Sequence, residues 1–300
     1  MRAVVTGGAG FIGSHLVDAL VARGDSVTVV DDLSTGRREL VNPGADLREH
    51  DIRQPLAFAT DVVFHLAAQA DVGTSMEKPA YDAEVNVVGT VNVLEAARQA
   101  NASLVFVSTG GAIYGDVDAP ATEDTPRRPV SAYGIAKLAA EEYVAGWSRI
   151  FGLPTAVARL ANVYGPRQSS ALEGGVVSIF LERMARGEDT VIFGDGTITR
   201  DFVYVGDVVD ALLAATAVEG NGEIFNVGTG RETAIAELHR VCRETAGITT
   251  PPSFGPARAG DAARSVLDPS RARAGLGWEA RVDLETGIRL TWDWIPTATS

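Results

Sequence analysis

Residues 4–16 read VVTGGAGFIGSHL, and this stretch decides the fold class. A short β-branched run leads into three spaced glycines, Gly7, Gly10 and Gly13, and an amphipathic segment follows them. Glycine at these positions permits a tight turn, lets the backbone approach a pyrophosphate, and allows the following helix to pack close to the strand. That helix would present unpaired N–H groups and its positive dipole end to the anion. The stretch therefore predicts a dinucleotide-binding turn at the start of a parallel sheet.

The end of the second predicted strand indicates which dinucleotide binds. Asp31 follows Gly13 by 18 residues, where a carboxylate would accept hydrogen bonds from the adenosine ribose hydroxyls. Because that carboxylate would repel a 2′-phosphate, the sequence favours NAD over NADP. The two arginines in residues 34–38, STGRR, could complicate this preference, although a solvated turn is the simpler expectation for them. Asp51 and Ile52 follow the expected third strand, where they either cap the adenine or simply end the strand.

Outward from this start, strands and helices alternate over the first half of the chain. RAVVTG, SVTVVD, DVVFHLA and SLVFVST are typical of buried parallel strands, and amphipathic segments separate them. This alternation predicts an α/β fold built on a doubly wound parallel sheet of the Rossmann type. After Pro166, glycine and proline become scattered and the strands become short. We therefore expect an NAD-binding domain over 1–165 and a smaller α/β substrate domain over 166–300, with 201–228 partly returning to the first.

Composition excludes several classes of protein. The 300 residues carry 39 acidic and 26 basic side chains, a net charge of −13, which opposes nucleic-acid binding. The chain has no run of about 18 apolar residues, so no membrane span is expected. Its N-terminus leads directly into a predicted strand and lacks the apolar region of a signal peptide. Cys242 is the sole cysteine, which fits a reducing compartment, and the four histidines lack metal-ligand spacing. The expectation is a soluble cytoplasmic protein with no metal site and neither nucleic-acid nor membrane partners.

Two polar side chains on one predicted helix point to the chemistry. Tyr133 and Lys137, in SAYGIAK, are four residues apart and so share a helix face. A free tyrosine has a pKa of about 10. A neighbouring ammonium, together with a positively charged nicotinamide ring, would stabilise the phenolate and lower that pKa. Ser108 and Thr109 end a predicted strand 25 residues earlier, at the edge of the sheet where active sites of open α/β folds lie.

Taken in order, these motifs resemble a known family. The extended short-chain dehydrogenase/reductases, and within them the nucleotide-sugar 4-epimerases of the UDP-glucose/UDP-galactose type, are similar over nearly the whole chain. The resemblance is carried by TGGAGFIGSHL, FHLAAQADV, NVVGTVNVLEAA, STGGAIYG, SAYGIAKLAAEEY, ANVYGPRQ, FGDGTITRDFVYVGDVVDA, FNVGTG and RAGDAARSVLD. It implies an isomerase that inverts C4 of a UDP-hexose through a transient 4-keto sugar, regenerates bound NAD, and forms a homodimer. A UDP-glucuronate 4-epimerase, a 4,6-dehydratase and another NAD-dependent sugar oxidoreductase are the alternatives.

The resemblance also assigns roles to residues. Tyr133 would be the acid/base and Lys137 its electrostatic partner and ribose ligand. Where relatives carry an active-site serine or threonine this chain has Gly110, so the hydroxyl that orients the sugar O4 falls to either Ser108 or Thr109. The cofactor site would comprise Gly7, Gly10, Phe11, Ile12, Gly13, Asp31, Asp32, Ser34, Thr35, Gly36, Asp51, Ile52, Leu66, Ala67, Ala68, Gln69, Asn86, Tyr133 and Lys137.

The substrate site implied by the resemblance lies later in the chain. Arg200 and Arg258 would contact the diphosphate, because guanidinium forks match phosphate oxygens; surface ion pairing is the alternative for both. Arg167 could meet the carboxylate of a uronate. The full substrate set would be Thr109, Tyr133, Asn162, Arg167, Val177, Arg200, Arg258 and Asp261.

The small residues that follow the hydroxyls restrict the reaction. Dehydratases that resemble this chain carry an Asp-Glu pair there for removal of the C5 proton and loss of water. This chain has Gly110, Gly111 and Ala112 at the corresponding positions. Without a second acid/base, a 4-keto intermediate can only take its hydride back, and return on the opposite face is epimerisation. This hypothesis predicts that no solvent deuterium enters C5 during turnover.

Overall fold

The computed structural model describes residues 1–170, 175–218, 221–257 and 262–298. Its strands, in chain order, are β1 (Arg2–Thr6), β2 (Ser26–Asp31), β3 (Asp46–Glu49), β4 (Val62–His65), β5 (Ser103–Thr109), β6 (Thr155–Leu160), β7 (Asn162–Tyr164), β8 (Val191–Phe193), β9 (Thr199–Arg200), β10 (Phe202–Tyr204), β11 (Asn221–Val227), β12 (Thr233–Ala234), β13 (Ser253–Gly255) and β14 (Arg264–Ser265).

Eleven α-helices lie between or after the strands of the described residues. They are α1 (Phe11–Ala22), α2 (Val72–Glu77), α3 (Pro79–Ala83), α4 (Gly89–Ala100), α5 (Gly110–Ile113), α6 (Ala132–Phe151), α7 (Val176–Ala185), α8 (Val205–Ala215), α9 (Ile235–Ala246), α10 (Ser270–Leu276) and α11 (Leu284–Ala298), with a 3₁₀ turn at Arg38–Leu40 and a π-helical turn at Glu84–Val88.

A seven-stranded sheet in the order β11-β6-β5-β4-β1-β2-β3 forms the centre of the molecule. Each neighbouring pair in it is parallel. Val5 packs in an apolar cluster with α1 and α8, whereas its neighbour Val4 packs in a second cluster with α4 and α6. Because successive strand residues point to opposite faces, helices cover both sides of the sheet. The predicted doubly wound Rossmann fold is confirmed.

Strand order reverses between β1 and β4, and this reversal positions the site. The chain runs outward from β1 to β3 on one side and from β4 to β6 on the other. In open α/β sheets, a crevice forms at such a switch point outside the carboxyl ends of the strands. The ends of β1, β2, β4 and β5 therefore meet where the sequence places the glycine turn, Asp31 and the two hydroxyls.

Helix α6 has a serine cap at its start and a glycine at its end. The Ser131 side chain accepts a hydrogen bond from the Gly134 N–H at 3.1 Å, which caps the first turn. Gly152 ends the helix in a left-handed conformation, with φ 69°. Within the described ranges, no helix is both long and apolar enough to cross a membrane.

Beyond β6 the chain builds a smaller layer over the strand ends and then returns to the large sheet. β10 pairs with β7 and leads into α8, and β11 joins the large sheet beside β6. The other short strands form the sheets β12-β9-β14 and β13-β8. Helices α7, α9 and α11 surround a separate apolar cluster that includes Leu181, Leu238 and Ile288.

Candidate active site

A cleft of about 950 Å³ lies between the carboxyl ends of the large sheet and the smaller layer. Its volume suits a substantial small-molecule ligand. The structure brings into its lining the predicted cofactor residues Gly7, Gly10, Phe11, Ile12, Gly13, Asp31, Asp32, Ser34, Thr35, Gly36, Asp51, Ile52, Leu66, Ala67, Ala68, Gln69 and Tyr133. Two further predicted cofactor residues, Asn86 and Lys137, are buried behind this lining.

The glycine turn fits a pyrophosphate. Gly7 has φ +72°, and a Cβ on it would lie 2.6 Å from the Ala67 backbone nitrogen. A Cβ on Gly13 would lie 2.1 Å from the Gly7 carbonyl oxygen, so the start of α1 can pack this closely only with glycine. Helix α1 has no side-chain cap and no acidic residue in its first turn. Its first N–H groups therefore remain available to an anion.

Asp31 stands at the end of β2, where the ribose of the dinucleotide would lie. Its carboxylate accepts hydrogen bonds from the backbone N–H groups of Ala9 at 3.0 Å and Leu33 at 2.9 Å. Burial raises the pKa of Asp31, and these two hydrogen bonds oppose the rise. Arg38 turns away to pair with exposed Glu49 at 2.7 Å. The arrangement fits the unphosphorylated ribose of NAD.

The loop of residues 66–69, here called the cofactor loop, forms the wall of the cleft beside β4. Asn86, in the π-helical turn, accepts a hydrogen bond from the Gln69 N–H at 3.0 Å and donates one to the Gln69 carbonyl at 2.9 Å. Asn86 is 1% exposed. It was predicted to line the cofactor site; the structure instead places it behind the loop, where it fixes the path of the backbone.

A buried histidine supports the same loop, and sequence reasoning missed it. The Thr90 hydroxyl donates to the Asn86 carbonyl at 2.7 Å and lies 3.0 Å from His65 Nε2, so Nε2 carries the proton. His65 Nδ1, 2.7 Å from the Thr6 hydroxyl, is left to accept. Burial and the nearby charge of Lys137 lower the pKa of His65 to about 3. This neutral side chain joins β1, β4 and α4 beneath the cofactor loop.

Helix α6 carries the tyrosine and lysine on its inner face. Tyr133 is half-buried and lines the cleft, whereas Lys137 is 3% exposed and its Nζ lies 4.3 Å from the ring centroid of Phe106. Burial lowers the pKa of Lys137 to about 8, and the charges of Glu141 and Asp82 oppose this fall. Lys137 is therefore an ammonium over most of the neutral range.

The pKa of Tyr133 differs from the sequence expectation. Burial raises it to about 12, the Thr109 hydroxyl lowers it through a hydrogen bond, and the Asp82 charge raises it. The predicted lowering counted two cations, the lysine and a nicotinamide ring, and left out desolvation. In the protein alone desolvation dominates, so the phenol keeps its proton.

Of the two candidate hydroxyls, Thr109 is the one that the structure brings to Tyr133. Ser108 is 3% exposed and donates its hydroxyl hydrogen to Glu141 beneath the sheet edge. Packing explains why the next position is a glycine. A Cβ on Gly110 would lie 2.5 Å from a methyl of Leu267, which is buried. Leu267 therefore occupies the space that a side chain at position 110 would need.

Gly111 differs from Gly110, and a pair of alanine variants separates them. A Cβ on Gly111 would lie 3.7 Å from Asn162 Oδ1 and 3.9 Å from Thr109 Oγ1, which are ordinary contact distances. Gly110→Ala is expected to destabilise the fold by about 1–3 kcal/mol, because buried Leu267 must move. Gly111→Ala should leave stability nearly unchanged and raise KM instead, since its methyl group would lie beside Asn162, which lines the cleft. Urea denaturation and steady-state kinetics measure the two effects, and an unfolding midpoint of Gly110→Ala equal to that of Gly111→Ala would contradict this.

The cleft lining also contains two residues predicted for the substrate alone. Asn162 and Arg200 both line it. Arg200 Nη1 donates to the carbonyls of Thr199 at 2.8 Å and Ala262 at 2.9 Å, which hold the guanidinium in place. A positioned guanidinium of this kind can meet phosphate oxygens.

The remaining predicted substrate residues are placed differently. Arg167, at φ 72°, pairs with Asp18 at 2.6 Å and lies outside the cleft lining. Val177 is 1% exposed and packs in the apolar cluster of the smaller layer. Arg258 and Asp261 fall outside the described residues. The structure therefore does not bring Arg167 or Val177 to the cleft in this conformation.

A Rossmann sheet with a glycine turn that fits a pyrophosphate, and a tyrosine–lysine pair on a helix beside the same cleft, defines an NAD-dependent enzyme of the short-chain dehydrogenase/reductase class. The chain belongs to the NAD dependent epimerase/dehydratase family, whose model matches residues 3–228. The family predicted from the sequence motifs is confirmed, and with it NAD as the cofactor.

Individual relatives are similar over the full length of the chain. The UDP-glucose 4-epimerase of Mycolicibacterium smegmatis is 47% identical over 304 residues, which cover 97% of each chain. The crystal structure of UDP-glucose 4-epimerase from Thermotoga maritima with UDP-glucose matches with a TM-score of 0.96 at 44% identity, covering 100% of both chains. The UDP-glucose 4-epimerase of Thermus thermophilus in complex with NAD matches with a TM-score of 0.91 at 43% identity, covering 99% of this chain and 100% of that one.

Proposed function

We propose that the protein is an NAD-dependent UDP-hexose 4-epimerase, with UDP-glucose and UDP-galactose as its default pair. The main support for this proposal is the set of side chains present at the reaction centre. Tyr133 and Thr109 meet there, and the neighbouring position beside Thr109, Gly111, has no side chain. A centre with one acid/base can oxidise and reduce C4 but cannot also remove the C5 proton. The names of the similar proteins support the same substrate class.

The residues of this chain would act on the sugar through proton transfer and orientation. NAD, when bound, supplies a reversible hydride acceptor. Tyr133 would take the proton of the sugar O4 hydroxyl and later return it, while the Thr109 hydroxyl holds O4 in place. The ammonium of Lys137, one helical turn further along α6, would favour the phenolate during this transfer.

Anchoring of the nucleotide would leave the sugar free to turn. Arg200 and Asn162 line the cleft, where they would hold the diphosphate. Residues 1–165 would thus bind the cofactor and most of 166–300 the sugar nucleotide. Arg167, the candidate for a uronate carboxylate, pairs with Asp18 at 2.6 Å instead. This placement favours a neutral hexose over a glucuronate.

Product identification tests the proposal. The purified protein would be incubated in D₂O with UDP-glucose, UDP-galactose, UDP-GlcNAc or UDP-glucuronate, with and without added NAD. We expect a C4 isomer of unchanged mass with no deuterium at C5, seen by proton NMR and mass spectrometry. Loss of water or CO₂, deuterium at C5, or stoichiometric consumption of NAD would contradict epimerisation. The arm with added NAD separates an absent activity from a cofactor lost in purification.

A homodimer is part of the proposal. Ile135, Tyr143 and Ile150 are 58%, 42% and 70% exposed and recur about every two turns along α6, so they form one apolar face. Helix α4 packs beside α6 and would extend the interface. Sedimentation equilibrium should give the mass of two chains, and Ile150→Asp should shift the protein toward one chain. A single-chain mass for the unmodified protein would contradict the dimer.

The proposal also places the protein in the cytoplasm. Cys242 is a free, fully buried thiol, which suits a reducing compartment. Fractionation of cells that produce the protein from its natural gene would locate it, and recovery from a membrane or secreted fraction would contradict this.

A further inference from the structure

Asp82 is a buried carboxylate whose hydrogen bonds do not explain its charge. It lies in α3 and is 0% exposed. Its Oδ1 accepts from the Gln69 side-chain amide at 2.8 Å and from the Asn86 amide at 3.0 Å. Among the described residues, its Oδ2 has no hydrogen-bond partner. An asparagine could make the same two bonds through its oxygen, so a negative charge at this depth needs a further reason.

The charged neighbours of Asp82 supply that reason. Helix α3 packs against α6, and the groups on α6 that sense the Asp82 charge are Tyr133 and Lys137. Glu141 is the other carboxylate that acts on the lysine. However, Glu141 already accepts hydrogen bonds from the guanidinium of Arg159, at 2.6 Å and 3.0 Å. Burial raises the pKa of Asp82, whereas the Gln69 amide and the charge of Lys137 lower it. Asp82 is hydrogen-bonded only to neutral amides, so the lysine is the cation that favours its charged form.

We propose that Asp82 is a positioning residue for the Tyr133–Lys137 pair: its buried carboxylate ties the cofactor loop to α3, which packs on α6, and is a counter-charge of the lysine. Oδ1 makes this connection by accepting the hydrogen bonds from Gln69 and Asn86. The negative charge of the carboxylate, which Oδ1 shares with Oδ2, stabilises the ammonium of Lys137. The catalytic consequence rests on the proposed function, whereas the charge coupling does not.

The sign of the effect follows from the charge. A carboxylate favours the protonated form of both neighbours, so Asp82 raises the pKa of Lys137 and that of Tyr133. It therefore keeps the lysine charged and the phenol protonated until a positive charge enters the cleft. Removal of the Asp82 charge should lower both pKa values, and part of the ammonium of Lys137 would then be lost at neutral pH.

The lysine content of the chain allows a direct test. Lys78 and Lys137 are its two lysines, so protein labelled with ¹³Cε-lysine gives two NMR signals. Lys78 is exposed and provides the internal reference. Asp82→Asn removes the charge and retains an oxygen that can accept from Gln69 and Asn86. Glu84→Gln is the matched control, because it removes the same charge from an exposed side chain two residues further on.

We expect the titration midpoint of Lys137 to fall by about half a unit or more in Asp82→Asn and to stay unchanged in Glu84→Gln. Asp82→Ser, a smaller side chain that still offers an oxygen, replaces Asp82→Asn if that variant does not fold. Equal midpoints in the charge-removing variant and the control would overturn the proposal.

Kinetics separate this proposal from the proposed function. The pH profile of kcat/KM should move to lower pH in Asp82→Asn but not in Glu84→Gln, a readout that loss of a merely structural contact would not move. If the Lys137 midpoint falls while the pH profile stays fixed, the charge coupling stands and the assignment of Tyr133 and Lys137 to catalysis is wrong.

Discussion

Tyr133→Phe is expected to lower kcat by about 10²–10⁴-fold, the usual contribution of a positioned acid/base. The substitution removes only the hydroxyl, which lies at the cleft and hydrogen-bonds to Thr109. The ring still fills the same space, so the free energy of unfolding and the amount of bound NAD should change little. Steady-state kinetics with UDP-galactose, together with the NAD released on denaturation, measure both parts of the expectation.

The same helix offers a matched control for this prediction. Tyr143 is 42% exposed, and its ring lies 5.7 Å from that of Trp147, away from the cleft. Tyr143→Phe makes the same chemical change and should leave kcat unaltered. Retention of more than about a tenth of kcat in Tyr133→Phe would assign the proton transfer to another group.

The parts of the fold that could be predicted are those encoded by neighbouring residues. The glycine turn, the strand and helix alternation, and the two ends of α6 follow from local periodicity and from the chemistry of glycine and serine caps. The cofactor side of the cleft was predictable for the same reason, because its wall is built from short contiguous segments at strand ends. Asp31 is an example, since its place at the end of β2 fixes its position relative to the glycine turn.

Residues that depend on distant packing were not predictable. Gly110 is small because Leu267, 157 residues later, occupies the adjacent space. Asp82 reaches the catalytic pair through the packing of α3 on α6 and through the π-helical turn that carries Asn86. Arg167 has the charge expected of a substrate ligand. However, it forms an ion pair with Asp18, which lies on helix α1.

Electrostatics at the site shows a second limit of the sequence. Counting nearby cations, the nicotinamide ring of a bound cofactor among them, predicts a lowered pKa for Tyr133, whereas in the protein alone burial raises it to about 12. Spacing alone, however, could have identified one functional neighbour. Glu141 follows Lys137 by four residues and shares its helix face, in the way that Lys137 follows Tyr133.

Glu141 is also where the largest loss of stability is expected. Its carboxylate forms a buried ion pair with Arg159, with Nη2–Oε2 at 2.6 Å, and the two side chains are 2% and 0% exposed. Arg159 Nη1 also donates to the Tyr114 hydroxyl at 2.7 Å. Glu141→Gln leaves the arginine charge buried without its counter-ion, so it should lower the free energy of unfolding by about 3–5 kcal/mol. Urea denaturation followed by circular dichroism measures the change.

A surface pair gives the control for this effect. Glu95 and Arg98 are 2.5 Å apart but 38% and 39% exposed, so Glu95→Gln should cost only about 0–1 kcal/mol. A Glu141→Gln variant that is no less stable than Glu95→Gln would show that the buried pair does not hold the helix to the sheet.

Replacing both partners distinguishes the cost of an unpaired charge from the value of the pair itself. Glu141→Leu combined with Arg159→Met removes both charges and leaves apolar side chains of similar size, so this variant should be more stable than Glu141→Gln alone. Activity should not recover in parallel. Ser108 loses its acceptor in the double variant, and Lys137 loses one of the two carboxylates that favour its ammonium. Recovered stability with a lowered kcat would therefore show that the ion pair is retained for the reaction centre and not for the fold.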